Sequence, residues 1–304
     1  MALLAEIAER IDRRFIHLVN GSVEVEKLYG QCRWAEGPVW MPDANQLVWS
    51  DIPNSRMLRW TPGGGVSVFR TDSNYSNGNT RDRNGRLITC EHGARRVTRT
   101  EADGSITVLA EMYKGKRLNS PNDAVVKSDG SIWFTDPHYG IMSDYEGHKA
   151  EREQETNNVY RIDPKSGKLT AVVDDFVMPN GLAFSPDESI LYVADSAISH
   201  DPDAPSHIRT FKVSRDGTLK GGKVFATTDG IPDGLRVDTN GNVWTSAGSG
   251  INVYAPSGDL LGRIRFPQSV ANLCFGGPKR NRIFVACTHE LYAFYVTATG
   301  VAGG

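Results

Sequence analysis

The chain has 304 residues, enough for one large repeat domain or two ordinary ones, with a core of useful size. A net charge of −2, with no basic run interleaved with aromatics, argues against a nucleic-acid partner. No apolar stretch is long enough to span a membrane, and Arg10, Arg13 and Arg14 interrupt the start where a signal peptide needs an apolar run, so the expected location is the cytoplasm.

In chain order the elements are short and β-rich. Residues 1–20 read as an N-terminal extension, and Val23-Glu24-Val25-Glu26-Lys27-Leu28 as a strand. Then come Leu47-Val48-Trp49, Arg86-Leu87-Ile88, Ser131-Ile132-Trp133-Phe134, Leu191-Tyr192-Val193, Asn242-Val243-Trp244 and Arg282-Ile283-Phe284-Val285. Most follow a turn signal such as Asn84-Gly85, Asp129-Gly130 or Asn240-Gly241. A further strand follows each, as at Met57-Leu58-Arg59-Trp60 and Asn158-Val159-Tyr160-Arg161, and a second turn leads to an outer strand.

Each unit opens on a polar phrase: Glu36-Gly37-Pro38-Val39-Trp40, Asn77-Gly78-Asn79, Asn122-Asp123-Ala124-Val125, Asn180-Gly181-Leu182-Ala183-Phe184 and Asp233-Gly234-Leu235-Arg236-Val237. From positions 36, 77, 122, 180 and 233 the steps are 41, 45, 58 and 53 residues. A sixth, degenerate copy begins near Ala271-Asn272-Leu273-Cys274-Phe275, where the polar residue is lost from the set. Four strands in about 40–50 residues is the signature of a β-propeller blade. The predicted fold is all-β: one six-bladed β-propeller over 1–304, its ring closed by the strand at Val23–Leu28. Cys32, Cys90, Cys274 and Cys287 form no CxxC pair, and Cys90, Cys274 and Cys287, in apolar strand-like runs, read as small buried hydrophobes in preference to disulfides. The longest step holds a polar insertion, roughly His138 to Thr156, which is either a solvated loop or a lid over the axial opening.

The innermost strand of each propeller blade starts at one mouth of the central channel, so the phrases place Glu36, Asn77, Asn122, Asn180 and Asp233 around one axis. Each Asn-Gly or Asp-Gly alone is an ordinary turn dipeptide. Their recurrence in register, with a strand following instead of a hairpin, favours a site. Glu36 and Asp233 supply charge, and Asn122 and Asn180 supply neutral carbonyl oxygens. Two carboxylates with two carboxamides suit one hard divalent cation, Ca²⁺ first.

Four phrases carry a family resemblance: Trp34-Ala35-Glu36-Gly37-Pro38, Asn119-Ser120-Pro121-Asn122-Asp123, Pro179-Asn180-Gly181-Leu182-Ala183-Phe184-Ser185-Pro186-Asp187 and Pro232-Asp233-Gly234. In this order and spacing, from about Trp34 to Phe294, the chain resembles the senescence-marker-protein/regucalcin, gluconolactonase and luciferin-regenerating-enzyme family. The run Lys116–Asp123 looks more like its bacterial gluconolactonase branch. The resemblance implies a single axial divalent cation on residues matching Glu36, Asn180 and Asp233, with Asn122 in the shell or beside it. It implies that Zn²⁺, Mg²⁺ or Mn²⁺ can stand in for Ca²⁺. Diisopropylfluorophosphatase-type propellers look alike at the same positions. The mammalian branch holds its sugar with an arginine where this chain has Ser120, which leaves Arg117 or Lys116 as the candidate substitute.

The second strand of each blade returns to the same mouth, ending at Ser50-Asp51, Glu91-His92, Thr135-Asp136-Pro137-His138 and Ala194-Asp195. The aspartates read first as residues that bind backbone N–H groups. His92 and His138 are either polar wall residues or satisfied structural histidines. His200 and His207, in a loop with Asp201 and Asp203, read as surface. Expected substrate contacts are Asn122, Arg117, Asn119, His92, His138 and Tyr139.

The resemblance implies hydrolysis of a small sugar lactone, D-glucono-1,5-lactone or a related aldonolactone. The cation would polarise the carbonyl, and Asp233, matching the family's catalytic aspartate, would act as general base. No G-x-S-x-G elbow offers a serine nucleophile. Two other readings stay open: a phosphotriesterase in which Asp233 attacks phosphorus, and a non-enzymatic ligand-binding propeller with aromatic and arginine anchors on its rim.

Overall fold

The computed structural model describes residues 2–302. Four of the six main sheets follow the chain from the axis outward, and the other two do so until an outermost strand supplied by the N-terminal segment. Blade 1 comprises Ala35–Met41, Gln46–Asp51, Arg56–Thr61 and Gly65–Arg70, and blade 2 comprises Ser76–Arg81, Leu87–Glu91, Arg96–Thr100 and Ile106–Ala110. Blade 3 comprises Ala124–Val126, Ile132–Asp136, Asn157–Ile162 and Leu169–Phe176, and blade 4 comprises Pro179–Phe184, Ile190–Asp195, His207–Val213 and Leu219–Thr227. Blade 5 begins with Leu235–Val237, Val243–Ser246, Gly250–Tyr254 and Leu260–Arg265. Blade 6 has Val270–Gly276, Arg282–Cys287 and Glu290–Tyr295 from the C-terminal end of the chain. The fold is the expected all-β six-bladed propeller. The turn glycines Gly85, Gly130 and Gly241 all have positive φ, as the Asn-Gly and Asp-Gly signals require.

Six hydrophobic clusters hold the ring, and each lies between two neighbouring blades. Blades 1 and 2 share the smallest, Val39, Val48, Met57 and Leu87. The largest joins blades 5 and 6, where Trp244 meets Leu273, Phe275 and Val285. Each sheet is sandwiched by its neighbours, which is why the second strands hold apolar runs such as residues 283–287, buried throughout. The four cysteines are free and buried, as the apolar runs around Cys90, Cys274 and Cys287 predict for those three.

The N-terminal segment serves two blades. Glu26–Tyr29 pairs antiparallel with Glu290–Tyr295 as the outer strand of blade 6, shifted slightly C-terminal of the expected Val23–Leu28. Upstream, Ala8–Arg10 adds a fifth strand to blade 5, pairing with Leu260–Arg265. A one-turn helix at Leu4–Ile7 buries Leu4, and Phe15 and Leu18 fill the same cluster.

The aspartates closing the second strands bind backbone, as expected. Asp51 accepts the Arg33 N–H at 2.8 Å, Asp136 that of Asn119 at 2.9 Å, and Asp195 that of Met178 at 2.9 Å. Each thereby ties the segment entering its blade to the end of that blade's second strand, and so places the start of the innermost strand.

Candidate active site

The glycines of the polar phrases have a physical reason other than turn formation. A Cβ on Gly37 would lie 2.1 Å from the carbonyl oxygen of Asn77, and one on Gly181 would lie 2.2 Å from that of Asp233. Each glycine is the point where the next blade's first strand presses against its own, so the ring closes tightly around the axis. The Gly78 N–H donates to the Asn122 carbonyl and the Gly234 N–H to the Ala271 carbonyl, both at 2.8 Å. That matching pair of bonds puts Ala271 in the register of Asn122. Blade 6 therefore lacks a polar side chain at the ring position, as its degenerate phrase implies.

Two blades carry a side chain where the others carry this glycine: Asp123 in blade 3 and Asn272 in blade 6. Both turn into the channel just below the ring. Asn272 Nδ2 donates to Glu36 Oε2 at 3.0 Å and lies 3.5 Å from Asp123 Oδ2. Arg236 Nη1 lies 3.5 Å from the same Asp123 oxygen and donates to the Leu235 carbonyl at 2.6 Å. These buried groups form a polar floor that sequence reasoning missed. The available signal was a polar residue in a slot otherwise occupied by glycine.

Above the floor, Glu36, Asn77, Asn122, Asn180 and Asp233 line one cavity of ≈ 360 Å³. All are buried except Asp233, which is partly exposed, and Ser246 Oγ holds the Asp233 N–H at 2.8 Å. Asn180 Oδ1 and Asn77 Oδ1 are buried with no hydrogen-bond partner. Unpaired buried carboxamide oxygens are costly unless something electropositive meets them. Burial raises the Glu36 carboxyl above its usual range and the charge of Asp123 raises it further. Burial likewise raises Asp233, with added repulsion from Glu36, Asp123 and Glu146. A cation would relieve these repulsions and satisfy the orphaned oxygens together, so the donor set fits one. Among the described residues no three His, Cys, Asp or Glu side chains form a metal cluster, so a site here needs the carboxamides.

His92 is one layer behind the ring. Asn77 Nδ2 and His92 Nε2 are 3.1 Å apart, and His92 Nδ1 is 3.2 Å from the Glu146 carbonyl. A carbonyl can only accept, so Nδ1 carries the proton, Nε2 accepts from Asn77, and the asparagine oxygen faces away. Burial lowers the His92 pKa to about 4, consistent with a neutral ring. His92 is therefore a satisfied structural histidine that fixes Asn77, and not a wall residue.

The insertion covers one side of the mouth. Its Tyr139 lines the cavity, with the hydroxyl 3.3 Å from the Ser196 carbonyl and from Ser199 Oγ. Glu146, absent from the sequence-based set, also lines it, and burial pushes its carboxyl up to about 7. The loop is pinned behind Glu146, because a Cβ on Gly147 would lie 2.1 Å from the Gly140 carbonyl oxygen. His200, read as surface, is exposed but borders the same cavity, with Nδ1 2.8 Å from Ser199 Oγ.

Three expected contacts stand elsewhere. Arg117 is exposed on a two-stranded hairpin, its guanidinium bonded to the Ala94 carbonyl at 2.9 Å. Asn119 is fully buried, and its amide bonds the Asp136 and Thr156 carbonyls, both at 3.2 Å. His138 faces Asn157 Oδ1 at 3.2 Å. Nor does Lys116 substitute for the missing arginine, since it pairs with Glu155 at 3.5 Å. Ser120 is structural: its hydroxyl donates to the Pro137 carbonyl at 2.7 Å and accepts the Gly140 N–H at 2.9 Å, anchoring the start of the insertion.

Comparison with known proteins accords with this geometry. The chain matches the family described as SMP-30/Gluconolactonase/LRE-like region over residues 34–289. A gluconolactonase of Zymomonas mobilis is 32% identical over 299 residues, covering 90% of this chain and 82% of the relative. A pentonolactonase of Haloferax volcanii is 29% identical, covering 84% and 81%. Among solved structures, a gluconolactonase from Xanthomonas campestris superposes with a TM-score of 0.89 at 39% identity, covering 95% of this chain and 94% of that one. A calcium-binding regucalcin from Agrobacterium tumefaciens shares the fold at a TM-score of 0.72 and 19% identity, covering 90% and 92%.

Proposed function

From the premise that the chain belongs to the SMP-30/gluconolactonase/LRE-like family, we propose that it is a cation-dependent lactonase acting on a small hydroxylated lactone, D-glucono-1,5-lactone or a related aldonolactone. Glu36, Asn180, Asp233 and Asn122 would hold the ion, and the orientation of Asn77 adds a further oxygen. Ca²⁺ suits this all-oxygen set best, with Mg²⁺, Mn²⁺ or Zn²⁺ as substitutes. The bound cation would act as a Lewis acid toward the lactone carbonyl. The observation that carries the reading is the pair of unpartnered carboxamide oxygens, on Asn77 and Asn180, in the same cavity as two carboxylates.

The remaining chemistry belongs to the side chains. Asp233 is the one ring carboxylate that is partly open to the cavity, so it is placed to take a proton from an incoming water. Its backbone N–H is fixed by Ser246, which limits its freedom to turn away. Tyr139, Glu146, Ser199 and His200 supply polar wall groups for ring hydroxyls. The lining of this cavity contains no arginine or lysine, so recognition of the substrate rests on neutral and acidic groups.

The test is hydrolysis of D-glucono-1,5-lactone followed with a pH indicator, using chelator-stripped protein with single metals added back. Acid release restored by Ca²⁺ or Mn²⁺, and reduced about 100-fold or more in Asp233→Asn with its fold intact, is the expected result. Turnover unaffected by chelation overturns the cation-dependent reading. Turnover of a phosphotriester and of no lactone moves the same cavity to phosphorus chemistry.

A further inference from the structure

We propose that Asn272 is a positioning residue that holds back one oxygen of Glu36 and so sets which divalent cations the axial site prefers. The inference rests on the reading of this cavity as a cation site. Glu36 Oε2 receives the Gly37 N–H and Asn272 Nδ2, so protein donors already occupy it. No described residue donates to Oε1. Glu36 thus offers the cavity one oxygen and not two.

The orientation of Asn272 is determined by its neighbours. Its Oδ1 accepts the Leu273 N–H at 2.8 Å, so Nδ2 must be the atom that faces Glu36. The side chain cannot swing away, because the Cα of Gly234 presses on it: a Cβ there would lie 2.0 Å from the Asn272 amide. Below, Asp123 and Arg236 form a buried ion pair at 3.5 Å that anchors the acidic end of the floor. Asn272 spans the space between this pair and Glu36. Through it a side chain of the sixth blade, which has Ala271 at the ring position, reaches Glu36.

The consequence for metal choice follows from coordination chemistry. Mg²⁺ demands near-ideal octahedral geometry and takes carboxylates through one oxygen, whereas Ca²⁺ accepts one or two oxygens in a looser shell. A Glu36 confined to one oxygen suits both ions. Without Asn272, Oε2 keeps only the Gly37 N–H and has a lone pair free for the ion, so Glu36 can offer two oxygens, which Ca²⁺ can use and Mg²⁺ cannot.

The experiment is titration calorimetry of chelator-stripped wild type, Asn272→Ala and Asn272→Ser with CaCl₂ and, separately, MgCl₂. Serine keeps a local acceptor for the Leu273 N–H but is too short to reach Glu36, so it decides the case if the alanine variant fails to fold. In the variants the Kd for Ca²⁺ is expected to tighten relative to that for Mg²⁺, the ratio of the two shifting about 10-fold or more. Equal weakening for both ions overturns the inference and makes Asn272 merely structural, and no change for either ion also overturns it. If wild type binds neither ion, the underlying reading of a cation site fails, and this inference fails with it.

Discussion

Asp136 illustrates how a single buried carboxyl in this ring makes stability depend on pH. Its Oδ2 accepts the Asn119 N–H, while Oδ1 is buried without a partner. Burial pushes its pKa from the ordinary 3.8 to about 7, and the backbone N–H groups of Asn119 and Ser120 offset only part of that rise. The folded state therefore prefers the protonated form. The resulting stabilisation is fully present below about pH 4 and is lost as the pH rises through about 7, above which the native carboxyl is ionised too and the loss is complete. In excess Ca²⁺, the urea midpoint of the wild type is expected to fall between pH 5 and pH 8.5. The loss should be on the order of 2–4 kcal/mol, because each tenfold change in a protonation equilibrium is worth about 1.4 kcal/mol. Asp136→Asn removes the charge and should flatten that slope. An unchanged slope in the variant would assign the pH dependence to another carboxyl.

At the scale of elements, the insertion of 138–156 converts a plain channel mouth into an asymmetric one. Ser120 anchors its first turn, His92 bonds the Glu146 carbonyl, and the Glu146 side chain is left facing the cavity. No described residue bonds that carboxylate, which makes it available to substrate hydroxyls. Replacing it by glutamine keeps the shape and removes the charge-assisted bonds. Glu146→Gln is expected to raise KM for a polyhydroxylated δ-lactone about 10-fold and to leave KM for unsubstituted δ-valerolactone within about twofold. Equal loss on both substrates would show that Glu146 acts on the chemistry or the cation instead of the hydroxyls.

The elements also show which parts of the site were legible in the sequence. The ring residues Glu36, Asn122, Asn180 and Asp233 were readable because each heads a strand at a recurring step, so fold and site shared one signal. Asp51, Asp136 and Asp195 were readable for the same reason. Glu146 was hidden because an irregular loop has no period to say which side chain turns inward. Arg117 was misplaced because closeness in sequence to Asn122 does not survive the intervening hairpin of Met112–Tyr113 and Lys116–Arg117, which carries it to the surface. Asn272 was obscured by Ala271: with the ring position lost, the next residue looked like part of a decayed repeat.

For the whole molecule, the blade that closes the ring also reaches into the site. The chain's two ends meet at blade 6, where Glu26–Tyr29 pairs with Glu290–Tyr295. Blade 6 then packs on blade 1 through Trp40, Trp49, Phe284 and Leu291, and the Asn272–Glu36 bond crosses the same seam. A truncation that spares the seam should therefore differ in kind from one that opens it. Removing residues 2–12 deletes Leu4 and the fifth strand of blade 5 but leaves Glu26–Tyr29 in place. The loss of buried apolar surface should lower Tm by about 5–10 °C, with cation affinity within about threefold of wild type. Removing residues 2–31 strips blade 6 of its outer strand and exposes the edge of Glu290–Tyr295. Blade 6 then loses its hold on blade 1, Glu36 loses its bond to Asn272, and the cooperative thermal transition and the calorimetric signal for Ca²⁺ should disappear together. If the longer truncation still bound Ca²⁺ with near-native affinity, the axial oxygens would have to be organised by the first five blades alone, and the coupling of site to closure would be wrong.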